Sequence, residues 1–65
     1  MANNFKDNLI YYRKENHLTQ TELAKALNVS CGIISLWENG LREPTLTNII
    51  AIINLFGITF EDLIN

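Results

Sequence analysis

The stretch from Thr19 to Gly40 leaves the chain the least conformational freedom. Thr19-Gln20-Thr21-Glu22 opens it as a capping box, in which the Thr19 hydroxyl accepts from the Glu22 amide and the Glu22 carboxylate accepts from the Thr19 amide. Leu23, Ala24 and Leu27 then form a short apolar stripe, and Asn28 suits a left-handed stop. Ser30 is the next N-cap candidate. The helix it opens carries Ile34 and Trp37 inward and ends at Asn39-Gly40, with glycine just past the last turn. Two short helices joined by a three-residue turn, Asn28-Val29-Ser30, are therefore expected. The small side chain of Ala24 lets the second helix cross close over the first, with the outer face of residues 31 to 36 pointing away.

The flanking sequence is helical as well. Phe5, Leu9 and Tyr12 recur at i, i+4 and i+7, the period of a helix over roughly residues 3 to 16, ended by Asn16-His17. Leu41-Arg42-Glu43-Pro44 reads as a loop, since Pro44 forbids helix at Glu43. Thr45 caps a fourth helix from Leu46 to Phe56, stopped by Gly57, and Thr59 caps a last short one from Phe60 to Ile64. No strand pattern, repeat, low-complexity segment or linker interrupts this series. The expectation is an all-α, compact five-helix unit forming a single domain over residues 1–65.

Composition narrows the function classes. A 65-residue chain buries only about 60% of the surface that its unfolded form exposes, so its core must be efficient. Nine Leu and nine Ile against one Pro and three Gly suit that demand. The single cysteine excludes an internal disulfide, and no Cys/His cluster has zinc spacing, so neither metal nor cofactor is expected. No nucleophile, base and orienting group can be assembled, which argues against an enzyme. Met1-Ala2-Asn3-Asn4 lacks the marks of a leader, and the apolar run Ile49–Ile53 is too short for a bilayer. A soluble cytoplasmic protein without membrane contact is expected. The net charge of −2 counts against nucleic acid, whose partners usually carry a basic surface.

Several conspicuous residues have ordinary explanations. Cys31 lies in the first turn of a helix, where the dipole favours a thiolate, but a lone cysteine also serves as a small side chain. His17 fills a turn. Glu61 and Asp62 complement the dipole of the helix they open. Of the adjacent tyrosines, Tyr12 falls on the core stripe and Tyr11 on the outside.

Leu18-Thr19-Gln20-Thr21-Glu22-Leu23-Ala24, Val29-Ser30, Ile34-Ser35, Trp37-Glu38-Asn39-Gly40 and Pro44-Thr45-Leu46 together resemble the Cro/cI-repressor family of helix-turn-helix proteins. Leu55-Phe56-Gly57-Ile58-Thr59 and Asp62-Leu63 resemble the family's C-terminal end, and Arg13 falls where the family has its arginine. The resemblance implies a lambda-repressor-like fold, with the helix-turn-helix motif at residues 19–40. It also implies a transcriptional regulator, a repressor, that binds a palindromic operator in double-stranded DNA as a homodimer. By the same resemblance Thr19, Gln20, Ser30, Asn39 and Arg42 would meet the DNA backbone. Gln20 would touch a phosphate or the outermost base, and Asn39 a phosphate with help from backbone amides. Arg13 would pair with Glu38, and Cys31, Gly32, Ile33, Ser35 and Leu36 would face base edges.

Those five positions depart from the family's usual polar set. Bidentate readout of guanine or adenine is impossible from them, which leaves thymine methyls for Ile33 and Leu36 and a hydrogen bond for Ser35. Ile33 and Leu36 are expected to be exposed in a monomer. The alternative is therefore a protein-interaction module that keeps the fold but binds a protein partner through them. The fourth helix is apolar almost all round, so helices one, two and five can cover only part of it. Ile53, Leu55, Phe60 and Ile64 are the candidate dimer interface.

Overall fold

In the computed structural model, which describes residues 3–65, each helix begins on a residue whose side chain caps it or lies beside one that does. The order is α1 (Phe5–Glu15), α2 (Gln20–Leu27), α3 (Cys31–Glu38), α4 (Leu46–Phe56) and α5 (Phe60–Ile64). Met1 and Ala2, half of the segment read as lacking a leader, lie outside the described residues. Thr19, Ser30, Thr45 and Thr59 accept from the amides of Glu22, Ile33, Asn48 and Asp62, and the boxes at Thr19 and Thr59 are reciprocal. α1 is shorter than expected at both ends; its N-cap, Asn4, makes no side-chain cap bond, and the preceding Asn3 accepts from the Phe5 amide through Oδ1 at 2.9 Å.

The first four helices stop alike. His17, Asn28, Gly40 and Gly57 take left-handed φ angles of 56°, 58°, 71° and 67°. The following amides, of Leu18, Val29, Leu41 and Ile58, bond back to the carbonyls of Arg13, Ala24, Leu36 and Ile53. This satisfies carbonyls that the helix ends would otherwise orphan.

Burial follows the apolar stripes. Leu9, Leu23, Ile34, Trp37, Ile52 and Leu63 are almost completely enclosed, each stabilising the fold by about 1.5–3 kcal/mol relative to exposure. Ala24 is buried where α2 and α3 cross. α1 packs on α3 and α5, with Phe5 edge-on to Trp37 at 6.4 Å. α4 is covered mainly by α2 and α5, and α1 reaches it where Tyr12 stacks on Phe56 at 6.0 Å. Tyr12 is half-buried and Tyr11 exposed. Among the described residues no helix is long and apolar enough to cross a membrane.

The last turn of α5 is held by the start of α1. The Asn4 amide donates to Ile64 O, Asn4 Nδ2 to Asn65 O, and Asn8 Nδ2 to Leu63 O, at 2.9–3.0 Å. Carbonyls at and just past the end of α5 thus find donors at the opposite end of the sequence, 55 residues away for Asn8 and 61 for Asn4 Nδ2.

Candidate nucleic-acid interface

α3 is fixed from its inner side. Ile34 and Trp37 anchor it in the core, and Glu38, at its last position, is buried although charged. Its carboxylate is fully engaged: Arg13 Nε donates to Oε2 at 2.6 Å and Arg13 Nη2 to Oε1 at 3.1 Å, a bidentate pair. The same guanidinium donates from Nη1 to Leu18 O at 2.9 Å, so α1 holds both the end of α3 and the entry to α2. Side-chain exposures of 13% for Arg13 and 5% for Glu38 put the pair largely out of solvent.

Gln20 completes this network, with Nε2 donating to Glu38 Oε1 at 3.1 Å. The carboxylate only accepts, so the amide must present its nitrogen there, leaving one N–H and the oxygen for other partners. No local pattern signals the link, because the two residues are 18 apart in sequence. The family resemblance implies a phosphate or the outermost base for Gln20; that the end of α3 also holds it is visible only in the structure.

The outward side of α3 is mixed. Cys31 and Gly32 are exposed, and Ser35 is half-buried. The Cys31 thiol lies 3.5 Å from the Thr21 hydroxyl, so the first turns of α2 and α3 share one polar surface to which Thr21, unassigned from sequence, also contributes. A Cβ added at Gly32 would meet nothing closer than Ser30 Oγ at 4.0 Å, which leaves that position open. Thr19 and Ser30 spend their hydroxyls as acceptors within their own caps.

Three expectations change here. Ile33 is not free in the monomer: it is half-buried and packs against the core, because α3 lies on α2 with that edge turned toward the other helices. Leu36 is half-buried too, so neither offers the exposed apolar face expected of them. Asn39 turns Nδ2 back to Ser35, 2.8 Å from its carbonyl and 3.3 Å from its hydroxyl. The amides of Asn39, Gly40 and Leu41 are likewise taken by Ser35, Trp37 and Leu36, so they are not open to a phosphate.

Of the residues expected to pair two copies, Leu55 and Phe60 are 41% and 50% exposed, whereas Ile53 and Ile64 are half-buried against their own core. Leu46 and Ile50, one turn apart on α4, are exposed instead, at 70% and 47%. They lie on the flank of α4 opposite Leu55. Arg42 is exposed in the loop after α3.

The bonds from Thr19 hold the Glu22 carboxyl below the usual carboxylate range; the backbone amide of Thr19 contributes most, then its side chain, with Lys25 nearby adding to the effect.

A family model described as helix-turn-helix matches residues 9–63. A helix-turn-helix transcriptional regulator of Methanocaldococcus jannaschii is 41% identical over 58 residues, which cover 89% of this chain and 88% of that protein. The transcriptional activator BcrR of Enterococcus faecalis is 34% identical over 61 residues, 94% of this chain but 30% of its own length. Among solved structures, the DNA-binding domain of the P22 C2 repressor shares a TM-score of 0.84 at 27% identity, over 91% of this chain and 78% of that one. Hydroxypropylphosphonic acid epoxidase from S. wedmorenis shares a TM-score of 0.87 at 26% identity, over 98% of this chain but 34% of the enzyme's. That likeness is one of fold and brings no activity with it. With the match running from within α1 into α5, and the two central helices joined as the motif requires, the chain belongs to the Cro/cI-repressor (XRE-like) helix-turn-helix family of transcriptional regulators.

Proposed function

We propose that the protein binds operator DNA, with α3 in the major groove and the N-terminus of α2 on the adjoining backbone. The observation that carries this reading is the Arg13–Glu38–Gln20 network, which locks the start of α2 to the end of α3 while the opposite side of α3 stays open at Cys31 and Gly32. A helix held that rigidly by its inner face is suited to placing its outer face in a groove. The first amides of α2 have no intrahelical acceptor and can meet a phosphate together with the remaining N–H of Gln20. Asn39 joins them once its side chain turns away from Ser35. Ser35 supplies a hydrogen bond to a base edge, and Leu36 an apolar contact with a thymine methyl.

The domain measures 25 × 24 × 20 Å. Successive major-groove faces on one side of the duplex are about 34 Å apart, so reading two half-sites takes two copies. We propose a homodimer on a palindromic operator, acting in the cytoplasm by repression through occupancy. Leu55 and Phe60 are the exposed part of its expected interface. Ile33 is half-buried against its own core, so the alternative in which this face binds a protein would rest mainly on Leu36, itself half-buried.

The test is a fluorescence titration with duplexes selected from a random pool. Gln20→Ala and Asn39→Ala should weaken binding to all duplexes alike, while Leu36→Ala should relax a preference for thymine-bearing steps. No selected duplex binding better than millimolar at 50 mM salt would refute the reading.

A further inference from the structure

A cavity of about 190 Å³ opens where the start of α1 meets the end of α3. Phe5 and Trp37 form its apolar wall, and Lys6, Asn39 and Arg42 bring polar groups to it. Asn3, Gly40 and Glu43 also line it, so among the described residues its side chains bring two positive charges and one negative in a chain whose net charge is −2. A water molecule's share of liquid volume is about 30 Å³, so the space admits a phosphate group with bridging waters.

Lys6 lines this cavity, and the way α3 ends leaves room for it there. Gly40 has a φ of +71°, and its missing side chain leaves room for the Lys6 stem. A Cβ built there would lie 3.2 Å from Lys6 Cδ and 3.9 Å from Nζ. The glycine that terminates α3 thus also lets an ammonium from α1 lie against that terminus. Asn39 borders the same cavity and reaches back to Ser35 on the outer side of α3, which makes cavity and proposed groove-facing surface continuous. The family match begins at residue 9, after Lys6.

We propose that this cavity is a backbone seat in which Lys6 and Arg42 together hold one phosphate of the DNA strand bordering the groove that α3 enters. The inference rests on the DNA-binding reading and adds to it a cation from outside the helix-turn-helix motif. Arg42 supplies a planar donor fork and Lys6 a point charge, and both line the space. The seat compensates locally for the acidic balance of the whole chain.

The experiment is a salt titration of wild type, Lys6→Gln, Lys6→Gln with Arg42→Gln, and Lys6→Arg on one selected duplex. Each phosphate neutralised contributes about 0.9 to the slope of log K against log [salt]. Lys6→Gln should flatten the slope by less than about 0.9 for each bound copy, because Arg42 stays on the phosphate. Lys6→Gln with Arg42→Gln should flatten it by about 0.9 and weaken binding by about tenfold per copy at 0.1 M salt, whereas Lys6→Arg should keep both slope and affinity. Unchanged melting of Lys6→Gln would show that the loss is one of contact. A parallel titration with inorganic phosphate, followed through the Gly40 and Trp37 amide resonances, separates a DNA seat from a free-anion site. Saturation there, with an unaltered DNA slope in Lys6→Gln, would overturn the proposal in favour of the free anion. Tight duplex binding with equal slopes for wild type and Lys6→Gln overturns the Lys6 seat alone. Failure of wild type to bind any duplex removes the DNA reading and the seat with it.

Discussion

At the scale of single residues, Glu38 is the charged group on which stability depends most directly. It is buried, and its two oxygens accept three hydrogen bonds, from Arg13 and Gln20. Replacement by Gln removes the charge and leaves the guanidinium of Arg13 poorly solvated, which costs about 3–5 kcal/mol for a buried pair. Each kcal/mol lowers the melting temperature of a domain this size by about 4–8 °C. Glu38→Gln should therefore melt more than 10 °C below wild type in a circular dichroism scan. A shift of two degrees or less would show that solvent reaches the pair.

At Glu22 the effect depends on pH. A carboxyl held below its unfolded value contributes stability at pH above that unfolded value, and the contribution disappears as pH falls through the lower, folded one. Glu22→Gln should therefore flatten part of the acid limb of the stability profile, measured by urea unfolding between pH 6 and 2. An unchanged limb would mean that the Thr19 bonds to this carboxyl are absent in solution.

At the scale of elements, the shared left-handed stop has a cost that differs by residue. Gly40 and Gly57 adopt it freely, but His17 carries a Cβ into a region that disfavours L-residues by about 1–2 kcal/mol. Asn28 tolerates it better because its short polar side chain can bond locally. His17→Gly should therefore raise the urea midpoint, by up to about 1 kcal/mol in stability once the entropy of glycine is deducted. A lower midpoint would show that the imidazole has a role of its own in the turn.

These ends, and the four hydroxyl caps, were legible because each depends on residues within a few positions of one another. The caps at Thr19, Ser30, Thr45 and Thr59 need only a side chain and an amide three residues on. The partial burial of Ile33 was not legible, since it depends on how α3 packs on the other helices. The bond from Gln20 to Glu38 and the placing of Lys6 over Gly40 join elements distant in sequence, and neither leaves a periodic trace. The apolar surplus of α4 was visible, but its division between Leu46 and Ile50 on one flank and Leu55 on the other depends on where α2 and α5 lie.

For the whole molecule, that division gives the dimer proposal a sharp form. Phe60→Ser and Leu55→Ser should shift sedimentation equilibrium at tens of micromolar toward monomer, while Leu46→Ser and Ile50→Ser should not. If the second pair dissociates the dimer and the first does not, two copies meet across the other flank of α4. A wild type that is monomeric with and without DNA removes the dimer altogether.

The clasp between the start of α1 and the last turn of α5 bears on the order in which the protein folds. The bond from Asn4 Nδ2 to Asn65 O spans 61 residues and that from Asn8 Nδ2 to Leu63 O spans 55, whereas the α2–turn–α3 unit is built from neighbours. Closing a long loop costs entropy before its contacts reward it, so the expected order is the hairpin of helices in the nucleus and the clasp after the barrier. Asn8→Ala should then speed unfolding in stopped-flow traces and leave the refolding rate near that of wild type. Ala24→Gly, in the hairpin, should slow refolding instead. Equal effects of Asn8→Ala on both rates would place the meeting of the chain's ends inside the transition state.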